Sequence, residues 1–276
     1  RLGAVKVGLT GGEPLVRDQL ETLVAQLRQI DGVDDLTMTT NGVRLPEKAA
    51  ALKDAGLQRV TVSLDSLDEA VFRQMNGNRG SVQQVLDGIA AAERAGLSPI
   101  KINAVVQRGV NDHTIVDLAR WAKDSGYILR FIEYMDVGNR NGWRMDDVVS
   151  AKEIAERIDA AIPLEPTSRG YASEVAMRYR YRDGGGEMGI IASVTMPFCG
   201  ACSRMRLSPE GQIYTCLFAT EGTDLRGPLR AGASDDELEA IIRRTWGERI
   251  DRYSELRAEA TEQPRERKVE MYHIGG

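Results

Sequence analysis

Residues 81–106 read SVQQVLDGIAAAERAGLSPIKINAVV. Val82, Val85, Leu86, Ile89 and Ala92 recur at helical spacing and share one face, and Gly96 follows as a stop signal. After a short turn the run 99–106 reads as a β-branched, apolar strand. A helix that must bury one face, then a strand, is half of a βαβ unit. The same alternation extends outward. Strands are predicted at 4–10, 36–40, 59–64 and 129–135, and helices at 17–31, 46–55 and 112–125. The strands are nearly continuously apolar on at least one face, as expected of a parallel sheet covered by helices. Periodicity leaves open whether that sheet is open or closed into a barrel. No G-x-G-x-x-G follows the first strand, so a dinucleotide fold has no support.

The pattern changes after about residue 145. One more helix is predicted over 145–162, ended by Pro163 and Pro166. The runs 177–181 and 188–195, split by Gly184-Gly185-Gly186, predict an antiparallel hairpin. Ser234 with Glu237 three residues later is a capping-box signature for a helix over 234–246. Two units are expected: 1–145, and a smaller one at 146–276 that ends in a charged tail and Gly275-Gly276.

Composition narrows the class. The chain has 276 residues, 42% hydrophobic and 28% charged, and a mean hydropathy of −0.32. That is a globular profile, neither disordered nor fibrous. The net charge of −5 argues against a broad nucleic-acid surface. No apolar run approaches the roughly 18 residues of a membrane span, and no signal-peptide pattern opens the chain. Three clustered cysteines make a poor disulfide framework, so a reducing, cytoplasmic setting is expected. The chain starts at Arg1 and runs at once into a strand-like segment, which leads us to expect that upstream residues are missing.

The chemistry-bearing residues gather at strand ends, where parallel α/β folds place their sites. Those ends read Thr10-Gly11-Gly12-Glu13-Pro14, Thr39-Thr40-Asn41-Gly42, Ser63-Leu64-Asp65, Asn103 and Glu133-Tyr134-Met135. The double glycine admits a ligand close to the backbone, and Glu13 offers a carboxylate to an ammonium. Lys101 shares a strand face with Asn103 by the two-residue period. Further on, Cys199-x-x-Cys202 and Cys216 form a three-thiolate set. A structural zinc wants four ligands and would need a distant His113 or His273. An iron–sulfur cluster on three thiolates would leave one iron open to a substrate atom. Arg204 and Arg206, two apart on an extended segment, are either a phosphate grip or a solvated pair. The Gly-Gly end is either frayed or a narrow tail that threads into a cleft.

These motifs resemble the radical S-adenosylmethionine enzymes. The C-terminal set, Phe198-Cys199-Gly200-Ala201-Cys202-Ser203-Arg204-Met205-Arg206-Leu207 with Cys216-Leu217-Phe218 and the terminal Gly-Gly, resembles their GTP 3′,8-cyclases of molybdenum cofactor biosynthesis. The resemblance covers essentially the whole chain. It implies an α/β fold: a partial (β/α)6 barrel, lacking its first strand here, plus a small C-terminal auxiliary-cluster domain. It implies two [4Fe-4S] clusters in the full-length protein. One cleaves S-adenosylmethionine, and the radical released takes the 3′ hydrogen of GTP, after which C3′ joins C8. The other, on Cys199, Cys202 and Cys216, binds the guanine edge. Gly12, Glu13, Ser63 and Met135 resemble S-adenosylmethionine contacts. Thr39, Lys101, Arg204 and Arg206 resemble GTP contacts, and the tail resembles one reaching the active site. The product goes to a cyclic pyranopterin monophosphate synthase, and a homodimer is implied.

Two departures carry consequences. The family's Cys-x3-Cys-x2-Cys loop lies upstream of Gly-Gly-Glu-Pro, and no cysteine precedes Cys199 here, so the chain as given is expected to be an incomplete catalyst. Gly8 stands where the family carries a GTP-contacting Arg, which predicts weaker GTP binding. Two other readings stay in play: a different radical enzyme with an auxiliary cluster, and a cluster-less nucleotide-binding relative.

Overall fold

The computed structural model describes residues 2–138, 141–171, 173–260 and 269–275. Its first half alternates as the sequence predicts: β1 (Lys6–Leu9), α1 (Leu20–Arg28), β2 (Asp35–Thr40), α2 (Leu45–Asp54), β3 (Arg59–Ser63), α3 (Glu69–Asn76), α4 (Val82–Arg94), β4 (Lys101–Val106), α5 (Ile115–Asp124) and β5 (Ile128–Glu133). Neighbouring strands from β1 to β5 pair in parallel. Each of the five strands expected before residue 145 is present, with ends within two residues of the reading. Helix α3 is an addition. Asp68 caps it, accepting from the Ala70 and Val71 N–H groups, and Gly77 ends it at φ +68°. Ser81 and Gln84 form a full capping box on α4.

The one helix expected over 145–162 is corrected. Met145–Asp147 makes a single 3-10 turn, Val148 bridges to Gln107, and only then does α6 (Ala151–Asp159) begin. Ser150 breaks the run because its hydroxyl accepts from the Glu153 N–H at 3.2 Å, the arrangement of an N-cap rather than of a helix interior. The predicted hairpin forms as β7 (Met177–Tyr181) and β8 (Glu187–Ile191), with β6 (Leu164–Thr167) beside β7. Its place is in the main sheet. β8 runs parallel to β5, giving the strand order β1-β2-β3-β4-β5-β8-β7-β6. The sheet therefore continues across residue 145.

Six parallel strands thus make the wall of a partial barrel. On its helix-covered face Val60, Val62, Ile102, Ala104, Leu129 and Phe131 are fully buried. They share one core with Ile158, Leu164, Tyr181 and Ile190 of the following segment. The other face carries polar and charged side chains. Beyond β8 lie a three-stranded sheet of β9 (Arg206–Leu207), β10 (Gln212–Tyr214) and β11 (Thr223–Asp224), then α7 (Arg226–Arg230), α8 (Asp235–Gly247), α9 (Tyr253–Ala260) and α10 (Met271–Ile274). The Ser234–Glu237 capping box opens α8 as its spacing predicts. No helix among the described residues is long and apolar enough to cross a membrane.

Candidate active site

The first strand end is organised by Glu13. One carboxylate oxygen accepts from the Thr40 hydroxyl at 2.7 Å and the Leu15 N–H at 3.0 Å, and the other accepts from the Asn41 N–H at 2.8 Å. These bonds tie the Gly11-Gly12 turn to the end of β2. Gly12 is exposed beside it and Ser63 is half-buried at the end of β3. Two residues on, Asp65 accepts from the Val105 N–H at 2.8 Å, and burial pushes its carboxyl up to about 6.

The polar face of the sheet holds the candidate triphosphate residues. Thr39 on β2, Thr61 on β3 and Lys101 on β4 occupy one register row, and Asn103 pairs with Arg130 in the next strand. Arg130 donates to Asn103 Oδ1 at 2.9 Å and to the Thr61 hydroxyl at 3.2 Å. Burial, then the charges of Arg130, Arg59 and Lys6, lower the Lys101 amine to about 8. Burial and Arg59 bring Arg130 down to about 10. Lys101 and Arg130 thus sit among cations that lower one another, with Glu187 and Glu174 acting the other way. Arg59 is balanced by Asp35, which it grips through two nitrogens at 2.9 and 2.5 Å. The sequence reading named Thr39 and Lys101 but missed Arg130 and Lys6. The two-residue period that linked Lys101 to Asn103 was the available signal; the register across to β5 was not.

The second half of the site is a cleft whose walls include Met135, Cys199, Cys202, Arg204, Arg206, Cys216 and Phe218. The structure thus brings six of the sequence-predicted residues together. Phe198 and Arg204 stack, with the guanidinium 5.3 Å from the ring centre. Burial works against the Cys202 thiolate, but Arg204, by charge and hydrogen bonding, and Arg206 outweigh it and hold the thiol below its ordinary value. At Cys216 burial wins and raises the thiol, although the Phe218 N–H donates to its sulfur at 3.4 Å. Burial and the neighbouring Arg204 bring Arg206 down to about 10, while Cys202 and Cys216 act the other way. Among the described residues, no three His, Cys, Asp or Glu side chains converge on a single metal ion.

Two contacts join the halves. Glu133, fully buried at the end of β5, accepts from the Ala151, Val194 and Thr195 N–H groups at 2.7–2.8 Å and from the Thr195 hydroxyl at 2.5 Å. That fixes the segment leading to Phe198 and Cys199. At the other end, the Gly275 carbonyl accepts from Arg206 Nε at 3.2 Å. A Cβ on Gly275, at φ +73°, would fall 2.3 Å from Thr10 Cγ2. The tail therefore reaches both the Gly11-Gly12 turn and the cysteine cleft. Gly276 lies outside the described residues.

Comparison with known proteins finds two family regions in the chain. Residues 1–122 match the Radical SAM superfamily and residues 127–255 match Molybdenum Cofactor Synthesis C. A GTP 3′,8-cyclase of Xanthomonas campestris pv. campestris (strain B100) is 49% identical over 275 residues, covering 100% of this chain and 80% of the relative. One from Acidothermus cellulolyticus is 50% identical over 299 aligned positions, covering 100% of this chain and 83% of the relative.

Proposed function

The chain belongs to the GTP 3′,8-cyclase family of radical S-adenosylmethionine enzymes, and from that premise we propose how its residues divide the work. The substrates of this family are GTP and S-adenosylmethionine, and its reaction opens molybdenum cofactor biosynthesis: the 3′ hydrogen of GTP is removed and C3′ is joined to C8, giving (8S)-3′,8-cyclo-7,8-dihydroguanosine 5′-triphosphate. S-adenosylmethionine with a reduced [4Fe-4S] cluster supplies the hydrogen-abstracting radical, and a second [4Fe-4S] cluster supplies an iron open to the purine.

The donor set fits that second cluster. Cys199, Cys202 and Cys216 are three thiols on one cleft wall, and Arg204 and Arg206 offset the negative charge that three thiolates bring. The 276 residues contain no other cysteine, so they offer the radical cluster no second set of thiolates. Gly12, Glu13, Ser63 and Met135 line the S-adenosylmethionine side. Glu13 orients the Gly11-Gly12 turn through its bonds to β2, so its role is to shape the turn as much as to meet an ammonium. Lys101 and Thr39, with Arg130 beside them, hold the triphosphate by charge and hydrogen bonds. Arg204 and Arg206 face the nucleotide from the cluster side. The Gly275 carbonyl holds Arg206 Nε and so positions that side chain. The product is passed to a cyclic pyranopterin monophosphate synthase.

The observation that carries this reading is the meeting of Met135, three cysteines and two arginines in one cleft. Its test is anaerobic reconstitution with iron and sulfide. About four irons per chain, with an electron paramagnetic resonance spectrum that shifts on adding GTP, is the expected result. Stoichiometric zinc, or an iron signal indifferent to GTP, would overturn it.

A further inference from the structure

We propose that Arg257 and Tyr253 of α9 are positioning residues that lock the Met135 side of the site to the wall bearing the three cysteines; the inference rests on the cyclase reading of the cleft. Arg257 is 5% exposed, and Asp136, the residue after Met135, is 7% exposed. Arg257 Nε donates to Asp136 Oδ1 at 2.9 Å, and Nη1 donates to the Ser193 carbonyl at 3.0 Å. The Tyr253 hydroxyl donates to the other carboxylate oxygen of Asp136. The rings of Trp143, Phe218 and Tyr253 surround the guanidinium, with centres 5.3–6.0 Å away.

The same helix holds the cysteine wall. Glu255 accepts from the Gly200 N–H at 3.3 Å, on the turn between Cys199 and Cys202. Tyr253 stacks on Phe218, two residues after Cys216, with ring centres 4.6 Å apart. Tyr253, Glu255 and Arg257 therefore tie the end of β5, the segment after β8 and both cysteine segments to one helix. A buried ion pair adds little stability beyond what apolar packing of the same volume would give. What a planar guanidinium adds is a fixed geometry, since its nitrogens donate in set directions. Here that geometry sets the separation between the S-adenosylmethionine side and a nucleotide held at the cysteine wall. Hydrogen abstraction between two bound molecules depends on that separation.

The test uses the full chain, reconstituted anaerobically with iron and sulfide. It reads GTP binding by calorimetry alongside the melting temperature. Arg257→Met keeps an apolar stem among the three rings and removes the charge, so the buried Asp136 carboxylate loses a partner. Its melting temperature should fall, and its GTP Kd should weaken by about 5- to 50-fold. Adding Asp136→Asn removes the uncompensated charge. The double variant should regain most of the melting temperature and keep the weakened Kd, because stability returns and the fixed geometry does not. Arg257→Lys, which keeps one charge-assisted bond, should bind GTP between the parent and Arg257→Met. A Kd that recovers together with the melting temperature in the double variant would make the pair merely structural and overturn the proposal. A parental Kd in Arg257→Met would do the same. If Arg257→Met does not fold, the double variant and Arg257→Lys decide between the same outcomes. An unsubstituted chain that binds no GTP would overturn the cyclase reading and this inference with it, whereas a binding parent with indifferent variants removes this inference alone.

Discussion

Arg206 donates through Nε to the carbonyl of Gly275 at 3.2 Å, so a side chain assigned to GTP is held by the chain's own tail. Gly275 is in the left-handed region, and any Cβ there would strike Thr10. Gly275→Ala should therefore displace the tail, and buried Ile274 with it. The expected outcome is a GTP Kd weakened by about three- to thirtyfold. A parental Kd would show that Arg206 is positioned by other contacts.

Lys101 gives the site a pH dependence whose sign is fixed. Its amine is lowered to about 8 first by burial and then by Arg130, Arg59 and Lys6. Because the folded value lies below the ordinary 10.5, the charged form is disfavoured on folding. That cost is fully present below pH 8 and fades as pH rises toward 10.5. Triphosphate binding runs the other way, since it uses the ammonium. Affinity should fall by about tenfold between pH 7 and 9, and Lys101→Met should flatten the profile. A profile of parental steepness in that variant would assign the titration elsewhere.

Gly8 stands on an edge strand with only the Thr37 methyl, at 3.7 Å, near the position of a Cβ. A larger residue fits there. Gly8→Arg should add a cation to the triphosphate face and tighten GTP by about ten- to a hundredfold. The same titration that measures Kd checks it. An unchanged Kd would mean that Arg130 and Lys6 already saturate the phosphates.

Glu133 carries four hydrogen bonds inside the protein. Removing its carboxylate strands three N–H groups and one hydroxyl in a buried site. Glu133→Ala should cost about 3–5 kcal/mol in urea unfolding, and Glu133→Gln less, since its amide oxygen still accepts. Equal stability of the two variants would contradict the account.

How much of this was legible in the sequence follows from which forces are local. The five parallel strands and α4 could be read because burial imposes a period on neighbouring residues. The break at Ser150 was written in its hydroxyl, but apolar spacing runs straight through 145–162 and hid it. The parallel pairing of β8 with β5 joins residues some sixty positions apart, and no local pattern reports such a partner. The cysteine cleft was legible because its spacing is compact. Arg130 and Lys6 were not, because a charge on a strand reads as solvent-facing until the fold shows what surrounds it.

The pairing of β4 with β5 also bears on how this polypeptide is made and could be divided. The two family regions meet between residues 122 and 127, yet the strands on either side of that join bond along six registered residues. A chain cut there would leave each fragment with a raw sheet edge and half a core, prone to self-association. The fragments should regain a native fold only when mixed. What sequence families record as two modules is, mechanically, a single folding unit that the ribosome must finish before either part is stable.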